Sequence, residues 1–215
     1  MDWTSFQKAL AALRRPGTTW SPDLHRQLDT YSGLIAEWGE VINVTGVRSP
    51  QALVDSLFVE SLAGPAAFPE LFGAGRHVAD LGSGAGFPGM ILALACPDLE
   101  VTLFEASRKK AAFLEEVRLR TDARVTVIGD RFETAAAAGG FDTVVSRAVE
   151  RPERLGEAVA RALAPATAGR PDGAWLLYGG PKMIERVRGM GEAVVRDALT
   201  VSVACLNPGM FHVKQ

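Results

Sequence analysis

The sequence predicts an α/β fold built on a mostly parallel sheet, with a helical extension ahead of it. From residue 76 onward, short apolar runs alternate with helical patterns, which is how βαβ units covered on both faces read. Ahead of residue 76 the clearest periodicity is helical, with apolar side chains at 24, 28, 31, 34, 35, 38, 41 and 42. At the join, the apolar run 78–81 passes straight into the turn Gly82-Ser83-Gly84-Ala85-Gly86, and a helical pattern starts at Met90. Residues 1–75 are therefore read as a helical cap and 76–215 as one compact second unit.

The elements follow in order. Residues 1–17 predict a short helix carrying Phe6, Leu10 and Leu13, broken at Arg15-Pro16-Gly17. Ser21-Pro22 starts the next helix, with serine as cap and proline in the first turn. A polar joint at 43–48 leads to a helix from Ser49-Pro50 to about Leu62, and Gly64-Pro65 and Gly73-Ala74-Gly75 close the helical region. Strands are expected at 77–81, 101–105, 124–128, 142–146 and 174–178, with helices at 107–120 and 152–164 between them. Ala135 to Ala138 predicts a helical turn, and Pro165 to Pro171 a loop. A helix at 182–197 then precedes an antiparallel pair, with one arm at 199–206, a turn at 207–209 and the other arm at 210–214. Five parallel strands followed by such a hairpin are the layout of a class I (Rossmann-like) methyltransferase with a seven-stranded sheet.

A strand, a glycine turn and a helix together present backbone N–H groups at a helix N-terminus, where the macrodipole favours an anionic group. A dinucleotide turn needs G-x-G-x-x-G, yet Phe87 stands at the third glycine's place, followed by Pro88. The Lys-Ser/Thr pair of a P-loop is also missing from the turn. Asp80 stands two residues before the first glycine. That pattern suits S-adenosylmethionine, which has no pyrophosphate and whose methionine ammonium needs acceptors. The next strand ends at Glu105, 23 residues beyond Gly82, near the ~20-residue spacing of a ribose-binding acid. A carboxylate accepting from ribose hydroxyls contributes roughly 1.5–3 kcal/mol per bond. The cofactor candidates here are Asp80, Gly82, Ser83, Gly84 and Glu105, with Ala106 beside the acid. After the third strand, Asp130 is placed to accept from an adenine amino group and Phe132 to cover the ring. Asp130 and Glu133 also read as a capping box.

Composition sets limits. The 215 residues carry a net charge of −2, so nucleic-acid binding needs a local basic patch. Cys96 and Cys205 have no pairing or metal spacing and read as reduced, buried side chains; His25, His77 and His212 are scattered, so no metal is expected. With no signal segment and no apolar run of spanning length, a cytoplasmic, monomeric protein without a membrane partner is expected. The fourth strand ends at Ser146-Arg147, and an arginine at a crevice needs an anionic or acidic partner.

These motifs resemble the bacterial rRNA small-subunit methyltransferase G family, also called glucose-inhibited division protein B. The resemblance runs from Trp38 and Asn43-Val44-Thr45 through Asp80-Leu81-Gly82-Ser83-Gly84-Ala85-Gly86-Phe87-Pro88-Gly89 and Glu105-Ala106-Ser107-Arg108-Lys109-Lys110 to Phe141-Asp142 and Ser146-Arg147-Ala148. It implies S-adenosylmethionine as donor and N7 of one guanine in 16S rRNA of the small ribosomal subunit as acceptor. Cofactor contacts carried over by position are Gly82, Phe87, Phe132, Glu133 and Arg147. Guanine N7 has its lone pair in the ring plane, so Arg147 is expected to bind O6, a phosphate or the methionine carboxylate rather than N7. Candidate RNA guides are Arg48, Arg108, Lys109, Lys110, Arg147, Arg151 and Arg154. The chain departs from the family pattern at Ser56-Leu57, at Tyr178-Gly179-Gly180 with Lys182 displaced, and at Met210-Phe211. Those departures fall on the RNA-facing side. They keep two alternatives in view: a methyltransferase for a small molecule or another RNA nucleotide, and a non-catalytic RNA-binding assembly factor.

Overall fold

The computed structural model describes residues 1–13, 15, 17–47, 49–136, 139–149, 151–165, 173–190, 193–199 and 201–206. Helices α1 (Thr4–Ala12) and α2 (Pro22–Gly39) open the chain. Ser21 caps α2 through its hydroxyl, which accepts from Leu24 N at 3.1 Å, as the Ser-Pro pair predicts. Next comes one helical run: α3 (Pro50–Ala52), a π-helical stretch (Leu53–Phe58) and α4 (Val59–Ser61). Helix α5 (Ala63–Ala67) follows at once, so Gly64-Pro65 does not close the helical region; Pro65 sits inside that short helix.

The strands are β1 (His77–Leu81), β2 (Glu100–Phe104), β3 (Val125–Ile128), β4 (Thr143–Arg147), β5 (Ala174–Gly179), β6 (Ala193–Ala198) and β7 (Val201–Leu206). Helices α6 (Gly89–Ala95), α7 (Arg108–Thr121), α8 (Phe132–Ala135), α9 (Gly156–Ala162) and α10 (Pro181–Arg188) lie between them. The sheet has seven strands in the order β3-β2-β1-β4-β5-β7-β6. The first five are parallel, and β7 runs antiparallel to both β5 and β6. This is the class I methyltransferase arrangement, and the order reverses between β1 and β4, where open α/β sheets hold their ligands.

Side chains alternate across the sheet as strand geometry requires. Val78, Val101, Leu103, Val145, Leu176 and Tyr178 pack with α1, α2, α6 and α7; Ala79, Leu81, Phe104, Val144, Trp175 and Leu177 pack with α8, α9 and α10. The N-terminal helices thus share one core with the sheet: Phe6, Leu28, Tyr31 and Phe58 are fully buried there.

The C-terminal end corrects the sequence expectation. Helix α10 stops at Arg188, and residues 193–197, expected as the end of a helix over 182–197, belong to the edge strand β6 (Ala193–Ala198). Val194 and Val195 are β-branched and favour a strand, while Arg196 and Asp197 are charges of the kind that protect an edge. The hairpin therefore joins β6 to β7 through Leu199, which has φ 57. The expected turn at 207–209 and arm at 210–214 lie outside the described residues, as does most of the 165–171 loop.

Candidate active site

The sheet register brings the candidate residues together. Leu81 lies beside Phe104 on one side and Ser146 on the other, so the glycine turn, Glu105 and Arg147 leave the sheet at neighbouring strand ends. Gly82, Gly84 and Gly86 have φ of 71, 59 and 95, the left-handed region that glycine enters without strain. A Cβ on Gly82 would meet nothing within 4 Å, whereas one on Gly86 would collide with the Tyr31 hydroxyl and with Met90 Cβ at 2.9 Å. One face of the turn is open and the other is packed against the helices.

Asp80 is fully buried. Its Oδ2 accepts from Gly89 N at 2.9 Å, a bond from strand to the first turn of α6. Its Oδ1 is buried with no partner among the described residues. Burial pushes the Asp80 carboxyl up to about 7, with the Gly89 bond working against that rise. A buried carboxylate oxygen without a donor is costly, and an ammonium group of a ligand would satisfy it. Glu105 spans the turn: Oε2 accepts from Gly84 N at 2.8 Å and Oε1 from Ser107 N at 2.7 Å. Each oxygen keeps a second lone pair, so ribose hydroxyls can still be accepted. Ser83 is buried and its hydroxyl donates to the Asp80 carbonyl oxygen at 3.1 Å. This set of acceptors fits the ammonium and ribose of an adenosyl sulfonium.

Other predicted residues take different places. Phe87 is buried among Tyr31 and Phe58, stacked on Tyr31 at 5.6 Å between ring centroids, so its side chain braces the turn. Phe132 is buried edge-to-face on Phe104, at 5.1 Å between ring centroids, and its ring is not free to cover an adenine. The capping-box reading is also corrected: Arg131 is the N-cap of α8, and Asp130 Oδ1 accepts from Arg131 N at 2.7 Å. Asp130 and Glu133 are exposed beyond β3, and Ala106 is exposed beside Glu105.

Arg147 pairs with Glu60 of α4, Nη2 to Oε2 at 2.5 Å. Together with Arg151, Lys182 and Arg186 it lines an open cleft of about 1020 Å³, to which Tyr178, Gly179 and Pro181 also contribute. Lys182 and Arg186, four residues apart on α10, were not among the expected RNA guides. Their signal was their place on the helix after a central strand. Arg108, Lys109 and Lys110 start α7 just beyond Glu105 and do not line this cleft, and Arg48 lies outside the described residues. Glu60 and Tyr31 were also missed, because each acts across a long sequence gap.

Tyr31 joins the cap to the turn. Its hydroxyl donates to the Ala85 carbonyl oxygen, and burial raises its pKa well above the usual phenol value. Tyr31→Phe keeps the ring stack but strands that carbonyl. We expect a loss of about 1–3 kcal/mol by thermal melting and weaker S-adenosylhomocysteine binding by calorimetry. Unchanged binding would show that the turn needs no brace from α2.

Residues 24–206 match the family model described as rRNA small subunit methyltransferase G. The chain belongs to this family. Within the methyltransferase G family, the protein of Nitrosospira multiformis is 44% identical over 119 residues, covering 55% of this chain and 53% of that one. The Limosilactobacillus reuteri protein is 35% identical over 163 residues, covering 73% and 66%. The match thus spans about half to two thirds of the length of these relatives. Among solved structures, a candidate S-adenosyl-L-methionine-dependent methyltransferase from Methanococcus maripaludis superposes with a TM-score of 0.57 at 13% identity, covering 72% of this chain and 88% of its own. MtNAS in complex with MTA and tNA gives 0.54 at 16% identity, covering 96% and 90%. These two likenesses concern the fold.

Proposed function

We propose that this protein transfers a methyl group from S-adenosylmethionine to N7 of a guanine in 16S rRNA, as its family name and the acceptors at Asp80 and Glu105 support. The observation that carries this reading is the meeting of two surfaces at one edge of the sheet. The glycine turn with Asp80 and Glu105 adjoins, through Arg147, the cleft lined by Arg151, Lys182 and Arg186. S-adenosylmethionine supplies an electrophilic methyl group on a sulfonium. In the transfer, the N7 lone pair forms the new bond to the methyl carbon as the carbon–sulfur pair returns to sulfur. No proton is removed from N7, so the chain's task is positioning, with N7 about 3–3.5 Å from the methyl carbon. Positive charge passes to the purine, and the Glu60 carboxylate beside Arg147 offsets the guanidinium there. Asp80 would hold the ammonium, Glu105 the ribose, and backbone at 130–133 would border the adenine. The helical region ahead of β1 braces the turn through Tyr31 and supplies Glu60 to the recess beside the cleft. The acceptor is free rRNA or the small subunit, met in the cytoplasm; no helix of the described residues is long and apolar enough to cross a membrane.

The test is methyl transfer to small-subunit rRNA, with mass mapping of the modified nucleotide. The expected product is a single 7-methylguanosine; transfer to another atom, or none, overturns the reading. The cleft cations also predict a salt dependence. Lys182→Ala is expected to flatten the slope of log affinity against log salt by about 0.7–0.9, one phosphate contact. An unchanged slope would remove Lys182 from the RNA surface.

A further inference from the structure

We propose that Glu60 selects the acceptor base, its carboxylate taking the N1–H and 2-amino donors of guanine while Arg147 donates to O6. This deepens the N7-guanine reading and rests on it. Glu60 and Arg147 come from different parts of the fold, α4 of the helical region and the end of β4, and meet side by side. Both line a smaller recess of about 270 Å³ with Tyr178, Gly179, Gly180 and Pro181, next to the basic cleft. Their side chains are 17% and 24% exposed, so the pair is sheltered yet reachable.

The pair is not saturated. Arg147 Nη1 is buried with no acceptor among the described residues. Arg147 Nη2 takes one of the Glu60 oxygens, Oε2, and a carboxylate offers about four lone-pair sites. A donor beside an acceptor is the complement of guanine's Watson–Crick edge, which presents the O6 acceptor, then N1–H, then the 2-amino donors. Adenine presents a donor where Arg147 donates and an acceptor where Glu60 accepts, and is opposed at both. Uracil matches O4 and N3–H but sets its O2 against the second carboxylate oxygen. Enzymes that modify a base out of its stack read it along this edge. Holding guanine there leaves N7 and its lone pair uncovered for the methyl group, which a guanidinium on the Hoogsteen side would block.

The test compares single-turnover transfer to an rRNA fragment carrying guanosine or inosine at the mapped position, using the full chain and its Glu60→Gln variant. Inosine lacks only the 2-amino group. The wild type is expected to lose on the order of tenfold on inosine, the cost of one missing base contact. Glu60→Gln, which offers one acceptor instead of two, is expected to lose at least as much on guanosine and nothing further on inosine, with S-adenosylhomocysteine affinity unchanged. Equal wild-type rates on guanosine and inosine overturn the proposal and leave the N7 reading standing; this arm needs no variant. Multiplying losses, or a parallel fall in S-adenosylhomocysteine affinity, overturn it in favour of a purely structural ion pair. Absence of wild-type transfer to guanosine overturns the N7 reading and this proposal with it.

Discussion

Gly86→Ala is expected to cost the protein a large part of its stability, while Gly82→Ala in the same turn costs less and weakens cofactor binding. Gly86 has φ 95, beyond the narrow left-handed region that alanine tolerates, and holding a side chain there costs about 1–3 kcal/mol. Its new methyl would also overlap the Tyr31 hydroxyl and lie 2.9 Å from Met90 Cβ and 3.1 Å from Leu114 Cδ2. Overpacking a filled core adds about 1–3 kcal/mol. Their sum, roughly 2–6 kcal/mol, is a large part of the ~5–15 kcal/mol that holds a domain together. Gly82 has φ 71 and no neighbour within 4 Å of a built Cβ, so only the backbone term applies, about 1–2 kcal/mol. The methyl would instead enter the open side of the turn. Denaturant unfolding is expected to rank Gly86→Ala far below Gly82→Ala, and calorimetry to show Gly82→Ala losing tenfold or more in S-adenosylhomocysteine affinity, about 1.4 kcal/mol. A Gly82→Ala protein that binds like the wild type would mean that the open face of the turn is not the binding surface.

Asp80→Asn is expected to remove a pH dependence from both stability and cofactor affinity. The unfolded carboxyl has its ordinary value of 3.8, and burial raises the folded one to about 7. Between those values the folded chain holds a proton that the unfolded chain has released. Stability from this group is complete below about pH 4 and is lost as pH rises towards 7. At about 1.4 kcal/mol per tenfold change, the loss is on the order of 4 kcal/mol. Asparagine keeps an oxygen for Gly89 N and does not titrate, so the variant's stability relative to wild type should climb between pH 4 and 7 in thermal melts. Cofactor binding runs the opposite way. An ammonium held by Asp80 favours the ionised form, so wild-type affinity for S-adenosylhomocysteine should rise as pH passes through about 7, and the asparagine variant should bind weakly with a flat profile. A flat wild-type profile would place the ammonium elsewhere.

What was legible in the chain follows from the range of each interaction. The five parallel strands are short apolar runs bounded by turns, and their limits are readable to within a residue: 101–105 against Glu100–Phe104, and 142–146 against Thr143–Arg147. The Asp80, glycine-turn and Glu105 constellation is local to two strand ends, so spacing alone could bring it together. Strand β6 was not legible, since its Arg196-Asp197 pair suits a helix surface as well as a sheet edge, and only pairing with β7 decides between them. The same limit hid Tyr31, which bonds Ala85 across 54 residues, and Glu60, which meets Arg147 from a distant part of the sequence. Phe132 shows the converse: its position beside β3 suggested stacking on a ligand, but its ring is buried edge-to-face with Phe104 of the neighbouring strand.

The most direct measurement is a crystal structure of the protein with S-adenosylmethionine. The ribose should lie on Glu105, the ammonium on Asp80 and the methyl group turned towards Arg147 and Glu60, over the open face of Gly82. Density for the compound anywhere else, or a turn that closes over Gly82 and shuts it out, would contradict the account.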